Sequence, residues 1–231
     1  MEVSRCPACL PVIHALSWAL PAPLIVAVMR PTDHLNYEPA SMSKATERNR
    51  DDAPLAKKLE DLYKLIEGME IAMFTTRRAD GRLVSRPMAT QTQAQGSDLW
   101  FVTDIESNKL DELSFDPNVN LAYYRDGSRE WVSVSGTAMI SQDRMAIHEL
   151  YQPDWKAWFG DQGGGRDGGP DDPRLALILV EVDSVTYMKV DKPKPVVLFE
   201  VVKGMLTGSP PNVGKERELS GSEVQTQAGR E

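Results

Sequence analysis

The chain has 231 residues, a formal net charge of −8 and a sequence pI near 5.0, a balance that excludes general nucleic-acid binding, which needs a basic face. With 41% hydrophobic residues there is material for one large domain, or one domain with ragged ends. Its two cysteines, Cys6 and Cys9, form a single N-terminal CPAC; no βαβ pattern follows and no second pair exists, so they read as incidental rather than redox or zinc chemistry. The cysteine-free remainder needs no disulfide and fits a reducing cytoplasm.

From Cys6 to Met29 there is no Asp, Glu, Lys or Arg, which raises a membrane question, since about 20 apolar residues span a bilayer. Pro11, Pro21 and Pro23 interrupt the window, His14 and Ser17 dilute it, and no clean signal-peptide cleavage site follows. Residues from Met42 onward read as an ordinary soluble N-terminus, so the expectation for 1–41 is an over-extended reading frame or a disordered leader. The domain division expected is a leader over 1–50, a barrel domain over 51–192 and a C-terminal extension over 193–231.

Pro54 and the acids before it open a helix; Leu55, Leu59, Leu62, Leu65 and Ile66 give it one apolar face, and Gly68 is its expected stop. Glu70–Thr76 is a strand, Arg77–Gly81 a hairpin turn with the Asp-Gly signal, and Arg82–Gln91 a second strand. That strand carries Val84, Arg86, Met88 and Thr90 on one face, and Pro87 makes it locally an edge or bulged. Leu99–Thr103 is a short strand, Asp104–Glu106 a turn, and Ser107 begins a helix with Leu110 and Leu113 as its apolar side.

A helix N-terminus presents unpaired N–H groups and the positive end of the dipole. The hydroxyls of Thr103 and Ser107 and the ammonium of Lys109 converge there, a phosphate cradle without a glycine-rich loop. Taken alone, the same serine reads first as a plain helix cap, since anion sites are far rarer than caps.

Val119–Tyr124 and Glu130–Ile140 are strands joined by a hairpin at Arg125–Ser128; Val132, Val134, Ala138 and Ile140 form an apolar face, and Gly136 marks a bulge or close approach. Asp143–Leu150 is a short helix capped by Ser141 or Asp143, with His148 assigned no catalysis. Trp155, Trp158 and Phe159 are core or a lid over a planar ligand. The glycine-rich stretch 160–172 has no preceding strand and no GK[ST] after it, so it reads as a mobile linker rather than a phosphate loop. Arg174–Val182 and Ser184–Val190 are the last barrel strands. Lys192–Pro195 is a spacer, Val196–Leu206 an apolar segment of open type, and residues from about 215 a polar, disordered end. The pattern of strands, turn signals and inserted helices predicts a mainly β fold, a small antiparallel Greek-key barrel with peripheral helices.

The order DG-x-L-x-SRPM-x-TQ (Asp80–Gln91), LWF-x-T-x₃-S-x-K (Leu99–Lys109), DP-x-V-N-L-x-Y (Asp116–Tyr123, with Asn118 inside the DP-x unit) and V-S-V-S-G-x-A (Val132–Ala138) resembles the FMN-binding split-barrel superfamily. More closely, it resembles the general stress protein branch of the pyridoxamine 5′-phosphate oxidase-like proteins, over about Leu55 to Gly214. The resemblance implies a split β-barrel, a homodimer with two flavin sites at its interface, and FMN as cofactor, with FAD, haem or a deazaflavin as alternatives. It implies an FMN-contacting arginine at Arg86 and a residue near the isoalloxazine ring at Gln91, where the family's oxidases have lysine. It also implies cofactor positions at Met88, Val102, Thr103, Ser107 and Lys109, and a flavin edge at Trp131 and Ser133. Relatives often carry Trp where Met188 stands, and the oxidases' substrate-binding arginine and histidine are not recognisable around Met188–Val190.

Three functions therefore compete: an FMN-dependent oxidoreductase using a nicotinamide donor and an unknown small molecule; a non-catalytic flavin-binding stress protein that senses or stores; and a binder of another planar cofactor. No Ser-His-Asp, Cys-His or metal-ligand constellation points elsewhere, and neither nucleic acid nor membrane is an expected partner.

Overall fold

The computed structural model describes residues 43–91 and 99–228; the readings made for 1–41, for Cys6 and Cys9 and for Met42 lie outside the described residues. A short helix α1 (Lys44–Asn49) leads into α2 (Leu55–Met69), which buries Leu59, Leu62, Leu65 and Ile66 along one face. Helix α2 runs through Gly68 and stops one residue later, with Glu70 at φ 61°. Strands β1 (Ile71–Arg77) and β2 (Leu83–Ala89) form a hairpin in the expected place, with Arg77 opposite Leu83. Then come β3 (Leu99–Asp104), α3 (Asn108–Phe115), β4 (Asn118–Arg125) and β5 (Glu130–Ser141).

Helix α4 (Arg144–Leu150) is capped by Asp143, whose carboxylate accepts from the N–H groups of Met145 and Ala146. A single 3₁₀ turn and α5 (Lys156–Phe159) precede β6 (Leu175–Lys189). This is one continuous strand where the sequence pattern reads two. The chain closes with α6 (Lys194–Thr207), β7 (Lys215–Ser220) and α7 (Gly221–Ala228).

The strands make one antiparallel sheet in the order β2-β1-β4-β5-β6-β3, with β7 paired to the far half of β6. Strands β3 to β6 lie in the order β3-β6-β5-β4, a Greek key. The sheet curls until its two edges meet: beyond β2, the Gln91 N–H donates to the Trp100 carbonyl on β3 at 3.1 Å. Strand β2 is the edge that Pro87 requires, because a residue without an N–H cannot serve a central ladder.

At Gly136 the β5–β6 register shifts, leaving Asp183 of β6 unpaired. A Cβ there would lie 2.4 Å from the Glu181 carbonyl oxygen, so both readings of this glycine hold. The inside of the curl holds Phe74, Phe101, Leu121, Tyr123, Val134 and Tyr187, with α2 laid over it. Behind β3 and β6 lies a second core of Trp100, Ile147, Trp155, Leu175 and Leu177.

The stretch 160–172 is a folded loop rather than a linker. Arg174, 1% exposed, donates to the carbonyls of Phe159, Gly160 and Arg166 and to the Asp172 carboxylate. Composition hides this, because a single buried arginine organises backbone that the glycines leave free to bend. The polar end is also structured: β7 and α7 bury Arg217, Leu219 and Val224. At the other end of the described chain Asn49 bonds the Pro211 carbonyl and the Val213 N–H, so α1 is tied to the segment leading into β7, while β7 and α7 pack with the barrel.

Candidate functional site

Strand β3 carries Thr103 inward beside Phe101, and the chain turns at Asp104, whose carboxylate accepts from the Glu106 N–H. Ser107 then stands at the N-cap of α3 with extended backbone, yet its hydroxyl makes no capping bond. It faces Thr103 Oγ1 at 3.3 Å instead, and Lys109 Nζ donates to the same Thr103 oxygen at 2.6 Å. The hydroxyl that a plain cap would spend on the helix is directed to the cluster. Burial pushes the Lys109 ammonium below the ordinary lysine pKa, and the nearby Arg86 guanidinium pushes it further.

Arg86 lies on β2 opposite Phe74, hence on the inward face. Its Nη1 donates to Thr76 Oγ1 at 2.8 Å and its Nη2 to Glu112 at 2.6 Å. Thr103, Ser107 and Lys109 thus meet at the start of α3, with the Arg86 cation near enough to act on Lys109 electrostatically, an arrangement suited to a multiply charged oxyanion.

The sequence reading missed the residues that support this cluster. Glu112, 7% exposed, takes Thr76, Arg86 and Arg78 at once. Burial alone would raise its carboxyl pKa, but those three hydrogen bonds outweigh burial and hold it below the usual range. The loop 160–172 fixes the turn before α3: the Ile105 N–H donates to the Arg174 carbonyl at 2.8 Å, and Arg166 bridges both Glu106 carboxylate oxygens. The i, i+3 spacing of Lys109 and Glu112 was a visible signal, because it puts both on one side of α3.

The remaining expected positions fall elsewhere. Met88 follows Arg86 on the inward face and packs on the main core. Gln91 is fixed at the mouth where the sheet edges meet, its Oε1 accepting from Trp155 Nε1 at 3.2 Å. Val102 points away from Thr103 into the second core with Trp100 and Trp155. Trp131 and Ser133 alternate with the inward-facing Val132 and Val134, and so lie on the outer face of β5, where Ser133 accepts from Asn120. A single chain therefore groups Arg86, Thr103, Ser107 and Lys109 and places Val102, Trp131 and Ser133 on the opposite surfaces of their strands.

Trp155 is core and Trp158 is 87% exposed. His148 pairs with Asp171 at the surface, 2.8 Å away. Met188 is nearly buried, and Lys189 is tied to Asp61. Among the described residues no group of His, Cys, Asp or Glu is arranged to hold a metal ion, and no helix is long and apolar enough to cross a membrane.

The profile of the family "Pyridoxamine 5′-phosphate oxidase like" matches residues 57–212, a span that holds every strand of the sheet except β7. The chain is 40% identical to protein bli-3 of Neurospora crassa over 178 residues, covering 76% of this chain and 85% of that protein. The crystal structure of a protein of Jannaschia sp. CCS1 described as a general stress protein 26 superposes with a TM-score of 0.54 at 25% identity, over 71% of this chain and 99% of that one. A protein from Clostridium acetobutylicum related to general stress protein 26 shares the fold, with a TM-score of 0.53 at 16% identity over 73% and 97% of the two chains. The curled antiparallel sheet with peripheral helices is a split barrel. With β1 to β6, helix α3 and most of its length inside the matched span, the chain belongs to the pyridoxamine 5′-phosphate oxidase-like family.

Proposed function

We propose that this chain binds FMN as a homodimer and works as a flavin-dependent oxidoreductase, taking electrons from a nicotinamide donor and passing them to a small molecule. The observation that carries this reading is the convergence of Arg86, Thr103, Ser107 and Lys109, with the Ser107 hydroxyl left off its own helix. Such a group matches a phosphate monoester, which carries about −1.5 to −2 charges near neutral pH and accepts charge-assisted hydrogen bonds. Bound flavin supplies the hydride chemistry. The chain's own work is to anchor the phosphate, orient the ring and exclude water from it.

Trp131 and Ser133 lie on the outer face of β5, which supports a site completed across two copies, one giving the cradle and the other a wall. An acidic chain whose cysteines are confined to residues 6 and 9 fits a cytoplasmic protein. FAD is the alternative cofactor, and a sensing or storage role is the alternative use of it. Pyridoxamine phosphate oxidation is not proposed, because Met188 and Lys189 are held in structural contacts.

The test is titration of apo-protein with FMN, followed by flavin fluorescence alongside the mass of the assembly. Saturation at two FMN per dimer by tens of micromolar, about −6 to −7 kcal/mol, is expected; no saturable change would turn the assignment toward the other cofactors. Anaerobic bleaching of the bound flavin by NADH or NADPH is expected of an oxidoreductase. Bleaching by dithionite alone would assign the protein to sensing or storage.

A further inference from the structure

Glu112 poses a physical problem. It is a buried carboxylate one helical turn beyond Lys109, beside a cluster suited to an anion. By Coulomb's law alone it opposes any anion that enters. Its hydrogen bonds point to a different role. Thr76 Oγ1 donates to Glu112 Oε2 at 2.6 Å, Arg86 Nη2 donates to that same oxygen at 2.6 Å, and Arg86 Nη1 donates back to Thr76 at 2.8 Å. The three side chains, from β1, β2 and α3, close a ring that fixes the plane of the guanidinium. Arg78 takes the other carboxylate oxygen at 3.2 Å.

Without this ring Arg86 would be a long side chain on an edge strand facing a second cation, Lys109, with nothing to hold the two together. We propose that Glu112 is a positioning residue for anion binding: it locks Arg86 into the cradle beside Lys109, and it favours the phosphate through that arginine despite its own negative charge. The proposal rests on the flavin reading above.

The two accounts of Glu112 differ in sign. If its charge acts only through space, Glu112→Gln removes a repulsion and tightens FMN. If it positions Arg86, the same change weakens FMN, because a neutral amide oxygen holds the guanidinium without a charge-assisted bond and the amide NH2 faces Arg78 where an acceptor stood. The experiment measures FMN and riboflavin affinities of the full chain as wild type, E112Q, R86A and the double variant. E112Q is expected to weaken FMN about five- to tenfold, and to move riboflavin by less than about twofold. In the R86A background the same substitution should leave FMN unchanged or slightly tighter, since a residue acting through Arg86 has nothing left to act on.

Tighter or unchanged FMN binding by E112Q, or equal weakening with and without Arg86, overturns the proposal while leaving the flavin reading intact. A wild-type chain that binds neither flavin overturns that reading, and the proposal with it. Should E112Q fail to fold, Thr76→Val opens the same ring from β1. A weakening of about two- to threefold, confined to FMN, then supports the proposal, and no change in FMN overturns it.

Discussion

Lys109 carries a cost in the protein without ligand. Burial and the Arg86 charge both disfavour its protonated form, so its pKa lies below the ordinary 10.5. A charged group held at such a disadvantage is more often placed for a ligand than for stability. On the proposed function, Lys109→Ala should weaken FMN by roughly ten- to a hundredfold, since each charge-assisted bond contributes about 1.5–3 kcal/mol. Riboflavin, which lacks the phosphate, should be nearly indifferent; equal losses for both ligands in a variant that melts like wild type would remove Lys109 from the cradle.

The sign of the pH dependence follows. Raising the pH strips the Lys109 proton earlier than from an exposed lysine, so FMN affinity should decline on the alkaline side before pH 10.5 is reached. Lys109→Arg should abolish that limb, because a guanidinium does not titrate there. Thr103, Ser107 and Lys109 were legible in the sequence because a strand end, a turn and a helix start are local features. Glu112 was not, since Thr76 and Arg86 lie 36 and 26 positions away and only the sheet and α3 bring them together.

At the scale of elements, β1 to β5 and their turns were readable from alternation, while the unbroken β6, the loop 160–172 and β7 were not. The loop's glycines report only freedom to bend. What removes that freedom is the buried Arg174–Asp172 pair, with Gly168 and Arg174 donating backbone N–H bonds to the same carboxylate. The Arg174 hydrogen bonds pull the Asp172 pKa from 3.8 down to about 2. A carboxyl depressed on folding stabilises the native state above its unfolded pKa, and that stability is lost as pH falls through the folded one.

Asp172→Asn should therefore destabilise the protein at neutral pH by about 3–5 kcal/mol, the usual effect of stripping a buried charge of its partner. The gap from wild type should narrow by about 2 kcal/mol between about pH 4 and pH 2, since one pKa unit corresponds to about 1.4 kcal/mol. Melting curves at several pH values test this, and a gap as wide at pH 2 as at pH 7 would sink it. The same variant should loosen the turn before α3, since Arg174 holds Ile105 and Arg166 holds Glu106.

At the scale of the whole molecule, β7 and α7 are held to the rest of the described chain by buried charge as well as by apolar burial. The charge is why composition marked residues beyond 215 as a tail. Arg217, 4% exposed, donates to Asp51 at 2.7 Å ahead of α2, to Asp61 at 2.6 Å within α2, and to the Tyr187 hydroxyl of β6 at 3.2 Å. Burial would raise the Asp61 carboxyl pKa, but Lys189, Lys57 and Arg217 together hold it well below the carboxylate range. A sequence window sees one arginine among polar neighbours; only the β6–β7 pairing shows that it enters the core beside Leu219.

A chain ending at Gly214 removes three things at once. It strips β6 of its β7 partner, it opens the space filled by Leu219 and Val224, and it leaves Asp51 and Asp61 without their shared guanidinium. The two apolar side chains alone contribute about 1.5–3 kcal/mol each, and losing a buried charge partner costs about 3–5 kcal/mol more. Together these approach the whole stability of a typical domain, about 5–15 kcal/mol. The shortened chain is expected to be insoluble, or to melt well over ten degrees below the full chain (about 2–4 °C per kcal/mol at this size). A chain ending at Ala228 should melt like the full protein. If the Gly214-terminated chain melts within about 2 °C of full length, β7 and α7 are dispensable and the polar end is the tail its composition indicates.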